Sequence, residues 1–470
     1  MSGTFRQRAS SFRSSRSFDK KALSVPHPPE MSQAESFEES LQGGWESDPS
    51  GIHRFRRLTR EEQVDRVVEG RVRESDLSPD QRAAYNALCR WFAVSDGNGG
   101  VITLGGFAGT GKSTVISVFA RAHQDLSVAY CAFTGKAANV LKQKLRDAGV
   151  PHPDYVGTIH RLIYRGAKNL RDEIIHWDRV ENLNYDLIVV DEASMLSDDI
   201  YNDLRSFNIP ILAVGDHGQL APVEGRFNLM EKPDLRLEKV HRQAEGSPII
   251  SLATFIREEG ELPERIQESE NVRVIDPRQL REGLGKLFRP DMSETDLLSS
   301  AILCYTNSKR RMANALVRNI RWGIADDAPV RPNDVLLCLR NMLGVFNGMR
   351  ARVISSMEHG EHWFWTHAVF DEDDIELKAS MFRPQFNRNG TITRYEDIEE
   401  LGFAQAEWSK KIGMLFDFGY ALTVHKAQGS SFKDVFLLYE RPNMIEQEEW
   451  RRWLYTAVTR SSERLAIVTR

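Results

Sequence analysis

Two α/β domains built on parallel sheets, the second interrupted by a small β-rich insertion, are the architecture this sequence predicts, and three observations predict it. Between residues 101 and 216, apolar runs (VITLGGF, SVAYCAF, YDLIVVDE, IPILAVGD) alternate with stretches of helical periodicity, the pattern of a doubly wound parallel sheet. The alternation returns at AILCYT followed by SKRRMANALVRNI, and resumes at FDFGYALTVHKAQG. Between these, residues 332–416 change texture to short alternating segments with Asn-Gly and Gly turns, such as VLLCLRNMLGVFNGMRARVISSM and HWFWTHAVF, which read as a small β-barrel.

The elements follow in order. Residues 1–75 are rich in Ser, Arg and Glu, basic at FRQRASSFRSSRSFDKK and acidic at QAESFEESL; without apolar periodicity they are expected to be a disordered, solvated arm. Order begins at LSPDQRAAYNALCRWF, where Ser78 caps a helix, Pro79 takes its first position, and Ala84, Leu88, Trp91 and Phe92 repeat at helical spacing. The first domain, residues 76–237, then runs strand VITLGGF, helix from Ser113 to His123, strand SVAYCAF, helix KAANVLKQKL, strand YDLIVVDE, helix DDIYNDLRSF, strand IPILAVGD. Residues 238–331 and 417–470 form the second, around the insertion at 332–416, and no repeat of fixed period links the two. A chain of 470 residues with 41% hydrophobic composition can bury more than one core. Its net charge of -5 provides no global basic field, so any polyanion groove must be charged locally. Cys89, Cys131, Cys304 and Cys338 stand apart without CxxC spacing, which predicts core cysteines in a reducing, intracellular compartment without structural zinc. No apolar run reaches membrane-spanning length and no secretory signal is recognisable, so no membrane partner is expected.

The chemistry concentrates at a few strings. Gly106-Phe-Ala108-Gly109-Thr110-Gly111-Lys112-Ser113-Thr114 fits GxxxxGK[ST] between a strand and a helix, where glycine amides surround phosphate oxygens, Lys112 neutralises the β- and γ-phosphates and Ser113 ligates magnesium. A strand later, Asp191 and Glu192 close LIVVDE; Asp191 is expected to hold the same magnesium through the Ser113 shell and Glu192 to act as general base on the attacking water. Gln219 in GDHGQLAPV is placed to sense the γ-phosphate, and Arg242 and Arg460, from the second domain, to clamp the transition-state charge across a closing cleft. Between HRLIY and LIVVDE, at about 164–184, Ile174, Ile175 and Trp177 give an apolar edge with charged flanks, either a stacking edge or a face packed on its own domain. The Trp363-Phe364-Trp365 cluster reads as core of the inserted barrel.

The order SPDQRAA, GFAGTGKST, AFTGKAA, GTIHRL, VVDEASML, GDHGQLAPV, VHRQ, VFNG, TVHKAQGSSF and YTAVTR resembles superfamily 1 helicases of the RecD/Dda-like branch, over residues 77–470. The resemblance implies two RecA-like P-loop domains, a hairpin pin in the first and an SH3-like barrel in the second. It implies ATP and Mg2+ as cofactors, 5′ to 3′ translocation on single-stranded DNA and unwinding at duplex junctions in replication, recombination or repair. The other readings are an RNA helicase or ribonucleoprotein remodeller of the same superfamily, and a nucleotide-binding scaffold without turnover. By carry-over, Gln81 reads the adenine edge and Gln428 approaches the nucleotide from the second domain. Thr134, Lys136, Thr158, His160, Asn307, Thr423 and His425 contact the DNA backbone, and Trp177 is the candidate for the fork. The chain is then expected to be cytoplasmic or nucleoid-associated and monomeric. Its arm becomes a candidate for recruiting a single-stranded-DNA-binding or replication protein.

Overall fold

The computed structural model of the chain describes residues 43–47, 53–57, 72–95, 99–150, 153–168, 174–221, 227–240, 246–324, 328–340, 345, 347–370, 375–405, 408 and 412–469. Most of the arm lies outside them. Within it, strands β1 (Gly43–Ser47) and β2 (His53–Arg57) pair antiparallel.

The first α/β domain carries the strands β3 (Val101–Gly106), β4 (Val128–Ala132), β5 (Tyr155–Thr158), β8 (Leu187–Asp191), β9 (Ile211–Gly215) and β10 (Leu235–Leu237), with β6 (Tyr164–Lys168) and β7 (Ile174–Arg179) as a separate antiparallel pair. The sheet order is β10-β3-β9-β8-β4-β5, all parallel. Its central strands are buried on both faces, as their unbroken apolar runs require. Helices α1 (Pro79–Ser95), α2 (Lys112–Ala122) and α3 (Gly135–Asp147) cover one face, where Leu88, Phe119 and Leu145 pack on Leu104, Val189 and Val214. Helices α4 (Ile159–Ile163) and α5 (Asp198–Arg205) cover the other, with Leu162 and Leu204 against Cys131, Ile188 and Val190.

The second sheet, β11 (Val272–Ile275), β20 (Ser461–Val468), β19 (Phe432–Leu438), β12 (Ser300–Cys304) and β18 (Ala421–Thr423), is also parallel throughout in that order. Helix α6 (Pro248–Glu259) and the last helix, α11 (Gln447–Val458), bury Ile256, Trp450 and Trp453 on one face; α7 (Leu280–Leu287) and α9 (Asn307–Trp322) bury Leu284 and Val317 on the other. Short helices α8 (Glu294–Leu298) and α10 (Val424–Ala427) complete the domain.

A third, antiparallel sheet of order β16-β15-β14-β13-β17 uses β13 (Val335–Cys338), β14 (Arg350–Glu358), β15 (Trp363–Phe370), β16 (Glu376–Phe382) and β17 (Phe416–Phe418). The chain enters and leaves it through adjacent strands, and the Gly419 N–H donates to the Val335 carbonyl at 2.8 Å. Glycine is required at 419 because a Cβ would stand 2.8 Å from the Leu336 backbone. Strand alternation corrects the reading of the Trp363-Phe364-Trp365 cluster: Phe364 is core, while Trp365 points outward beside its cross-strand neighbour Met357, 45% and 64% exposed. Buried arginines fasten this sheet to the second domain. Arg310 and Arg318 of α9 pair with Asp417 and Asp334, and Arg350 donates to the carbonyls of Leu298 and Ser300.

Candidate functional site

The candidate phosphate-handling groups of the first domain sit at or just beyond the carboxyl ends of its strands, where a parallel sheet presents its loops. After β3 the chain turns through Gly109 (φ 80°) and Gly111 (φ 81°), left-handed positions that favour glycine, and the N–H of the intervening Thr110 donates to the Phe107 carbonyl at 3.3 Å. Gly106 has no room for a side chain, since a Cβ would stand 2.6 Å from the Thr110 hydroxyl. That buried hydroxyl donates to the Phe107 carbonyl at 2.9 Å. Helix α2 begins at Lys112, whose ammonium bridges the carbonyls of Gly106 (2.6 Å) and Phe107 (3.0 Å). Thr114 lies in the first turn, its N–H on the Gly111 carbonyl. Lys144 of α3 donates to the Ser113 hydroxyl at 3.0 Å. A glycine cradle, a helix N-terminus and a lysine at its mouth fit a triphosphate, and the Ser113 hydroxyl and the Asp191 carboxylate are oxygen donors of the kind that suits the magnesium accompanying one.

Strand β8 delivers Asp191, whose carboxylate accepts the Glu192 N–H at 3.0 Å. Glu192 itself adopts left-handed backbone, φ 54°. Burial pushes its carboxyl up from the ordinary value; Arg460 pulls it down, Asp191 pushes it up, Lys112 pulls it down and Asp216 pushes it up. Groups from three strands of the first sheet and from the second domain therefore converge on one carboxyl.

Past β9, Asp216 accepts from the Gly218 N–H (2.9 Å), the Gln219 side-chain amide (3.4 Å) and the Tyr455 hydroxyl (2.8 Å). The Gln219 side-chain carbonyl is buried without a hydrogen-bond partner among the described residues. Tyr455, from α11, also accepts the Ala108 N–H at 2.9 Å. One residue on, Thr456 accepts the Leu220 N–H (3.0 Å), and Gln428 donates to the Leu220 carbonyl (2.8 Å). Arg460 is buried, with N–H groups on the Thr456 carbonyl, the Ser430 carbonyl and the Thr459 hydroxyl. Gln81 of α1 donates to the Thr110 carbonyl (3.1 Å) and accepts the Ser78 N–H (3.1 Å). Arg242 lies outside the described residues.

The residues expected at a polynucleotide differ in exposure. Thr134 and Thr158 are N-caps, accepting from the N–H groups of Ala137 and Arg161; Thr134 also donates to the Gly429 carbonyl at 3.4 Å, bridging the two sheets' loops. Thr158 and Thr423 are buried, so their hydroxyls do not face solvent. The His160 ring lies near Phe133 and Tyr164, and burial lowers the pKa of both His160 and His425, which favours neutral imidazoles. Asn307 is exposed at the start of α9 and accepts from Arg310. The side chains of Lys136 and Trp177 lie outside the described residues. Sequence reasoning missed Asp216, Tyr455 and Thr456, although each stands inside a string it quoted. Asp216 looked like an ordinary turn acid, and Tyr455 and Thr456 carry no charge to mark them.

Residues 76–276 match the AAA domain family and residues 418–468 the UvrD-like helicase C-terminal domain. The chain is 27% identical to the ATP-dependent RecD2 DNA helicase of Deinococcus radiodurans over 77% of its own length and 46% of that protein's. It is 22% identical to the ATP-dependent DNA helicase dda of phage T4, over 82% of this chain and 97% of that one. A solved Pif1 helicase from Bacteroides, in complex with ADP-AlF3 and single-stranded DNA, aligns at 17% identity and a TM-score of 0.44, covering 84% of this chain and 92% of that one. The chain spans less than half the length of the first of these relatives.

Proposed function

We propose that the chain is a superfamily 1 helicase of the RecD and Dda type, an ATP-dependent DNA helicase that translocates 5′ to 3′ on single-stranded DNA and unwinds the duplex ahead, a reading supported by the two matched helicase-type domains and the RecD2 and dda relatives. The observation that carries the reading is that the charges of Arg460, Asp191, Lys112 and Asp216 all bear on the buried Glu192 carboxyl, because binding alone needs neither a base nor a cation from a second domain.

Bound at the cradle, MgATP supplies the phosphoanhydride. Backbone amides of Gly109, Gly111, Lys112 and Ser113 and the Lys112 ammonium would bind the phosphate charge, with Thr110 and Thr114 shaping the loop through their own N–H bonds, and Ser113 and Asp191 would hold the cation. Glu192 takes the proton of the attacking water, whose position Gln219 fixes. Arg460, with three of its five N–H donors already fastened to the end of α11 and to the Ser430 carbonyl of the loop after α10, presents the remainder to developing charge, and Arg242 joins it from the segment after β10. Gln81 exchanges its Thr110 contact for the adenine edge, and Gln428 approaches from the second domain.

Single-stranded DNA runs over the loops carrying Thr134, Lys136, Thr158, His160, Asn307, Thr423 and His425. Neutral imidazoles and loop amides suit a sequence-independent grip on sugar and phosphate, and the buried Thr158 and Thr423 act by shaping the loops that carry them. Residues 76–237 act as the first RecA-like domain, 238–331 and 417–470 as the second, 332–416 as an SH3-like barrel, and the β6–β7 hairpin with Trp177 as the pin at the fork. Among the described residues no helix is long and apolar enough to cross a membrane. The test is ATP-dependent unwinding of matched duplexes bearing a 5′ or a 3′ single-stranded DNA tail, with ATPase stimulation recorded alongside. Unwinding from the 5′ tail supports the proposal; a 3′ preference, or stimulation by RNA alone, overturns it.

A further inference from the structure

We propose that the Tyr455 hydroxyl is a positioning group through which the second parallel-sheet domain orients Gln219 at the nucleotide, so that turnover proceeds only when the two domains are in register. This rests on the ATPase reading above and adds a residue and a role to it.

The hydroxyl stands at the junction of three segments. It accepts from the Ala108 N–H of the phosphate loop (2.9 Å) and donates to the Asp216 carboxylate (2.8 Å), while the residue belongs to α11 of the second domain. Donor and acceptor are thus both used, and Tyr455 is only 2% exposed. Burial holds its proton on, so the donation to Asp216 persists across the ordinary pH range. Asp216 passes the constraint on: its carboxylate accepts from the Gly218 N–H and from the Gln219 side-chain amide.

Gln219 is therefore tethered on one side through Asp216 and Tyr455. On the other side its neighbour Leu220 is gripped through both backbone groups, the N–H by Thr456 and the carbonyl by Gln428. Tyr455, Thr456 and Gln428, the side chains that make these bonds, all belong to the second domain. Separation of the domains breaks the Tyr455 bridge and the Leu220 grip together, and leaves Gln219 held within its own turn, by its N–H on the Asp216 carbonyl at 3.2 Å and its side-chain amide on the Asp216 carboxylate at 3.4 Å. The unpartnered Gln219 carbonyl is then correctly presented only in the assembled arrangement.

The ring is located independently of the hydroxyl. It packs edge-on to Phe107, with centroids 6.2 Å apart, and Phe107 is itself contacted by the His217 ring and the Arg257 guanidinium, each 4.1 Å away. Gly218 leaves the ring its space, since a Cβ there would come within 3.2 Å of Tyr455. Tyr455→Phe keeps this packing and removes the two hydrogen bonds, which isolates the bridge.

The test compares wild type, Tyr455→Phe, Gln219→Ala and the double variant in steady-state ATPase with single-stranded DNA, in binding of a fluorescent ATP analogue, and in amide hydrogen exchange. In Tyr455→Phe, kcat falls by about 10- to 100-fold while KM and analogue affinity stay within about twofold. The double variant is hardly slower than Gln219→Ala, because both changes act through one group. Exchange rises together in peptides covering 106–110 and 216–220, a readout that does not depend on turnover. Wild-type kcat in Tyr455→Phe, losses that multiply in the double variant, or unchanged exchange in those peptides overturns the bridge. A wild-type chain without ATPase activity whose Tyr455→Phe variant still exchanges faster in both peptides overturns the ATPase reading and leaves the physical bridge standing.

Discussion

Glu192 combines a strained backbone with a perturbed carboxyl. A non-glycine residue held at φ 54° costs on the order of 1 kcal/mol, which the packed ends of β8 and β9 sustain. Glu192→Gly is therefore expected to be more stable than Glu192→Ala by about 1 kcal/mol in denaturant unfolding, with both inactive; equal stabilities would mean that the chain relaxes there. Glu192→Gln should bind ATP and lose at least about 100-fold in turnover, and normal turnover would remove Glu192 as base. Because the pKa is raised, mainly by burial, the protonated and inactive form persists to higher pH than for an ordinary glutamate. Activity then falls as pH drops through that raised value, so the acid limb of kcat/KM lies above the usual glutamate range of about 4.3; a limb at or below it would contradict the assignment. Lys112, Asp191, Glu192 and Gln219 could be found from sequence because glycine spacing and charge at strand ends are chemical signatures in themselves. Tyr455 and Asp216 were illegible because their significance is a distance of 2.8 Å between residues 239 positions apart.

Among elements, the long fully buried strands β3, β4, β8 and β9 were readable as apolar runs, and α1 as a capped periodic segment. Strands β5 and β10 were not, since four and three residues at the edges of a parallel sheet leave no pattern to read. Helices α6 and α7 and strand β11 also went unassigned. The inserted sheet was readable as a change of texture, but not its fastening to α9, because arginine in a helix ordinarily signals solvent. Arg318 and Asp334 are 1% and 0% exposed, with Arg318 also lying 3.8 Å over the Phe418 ring and Tyr420 donating to Asp334. Asp334→Ala strands a buried guanidinium and should cost about 3–5 kcal/mol, whereas Arg318→Met with Asp334→Leu should recover much of it. Denaturant unfolding of the two variants decides this; a single variant costing under about 1 kcal/mol would mean that water reaches the pair.

For the molecule as a whole, a net charge of -5 and a proposed DNA path over neutral histidines and loop amides predict a grip with few counterions to release. Each neutralised phosphate on a single strand contributes a slope of about −0.7 in log K against log salt. Affinity for single-stranded DNA should then fall with a slope of about −2 or shallower in a titration from low to physiological salt. A slope steeper than about −4 would mean that lysines and arginines outside the proposed set bear the load. The loops where the sheets meet are joined by Thr134 with Gly429, Leu220 with Thr456 and Gln428, and Tyr455 with Ala108 and Asp216, none of which a linear text displays. The hydrogen bond between Gly419 and Val335 bears on descent rather than on mechanism. A segment that leaves and returns at a single point behaves, for a genome, as a cassette: recombination joints on either side of that bond exchange it whole while the host strands keep their neighbours. An incoming cassette must bring an acid for Arg310, another for Arg318 and an arginine for the carbonyls of Leu298 and Ser300, so inheritance by exchange is confined to lineages that share those anchors.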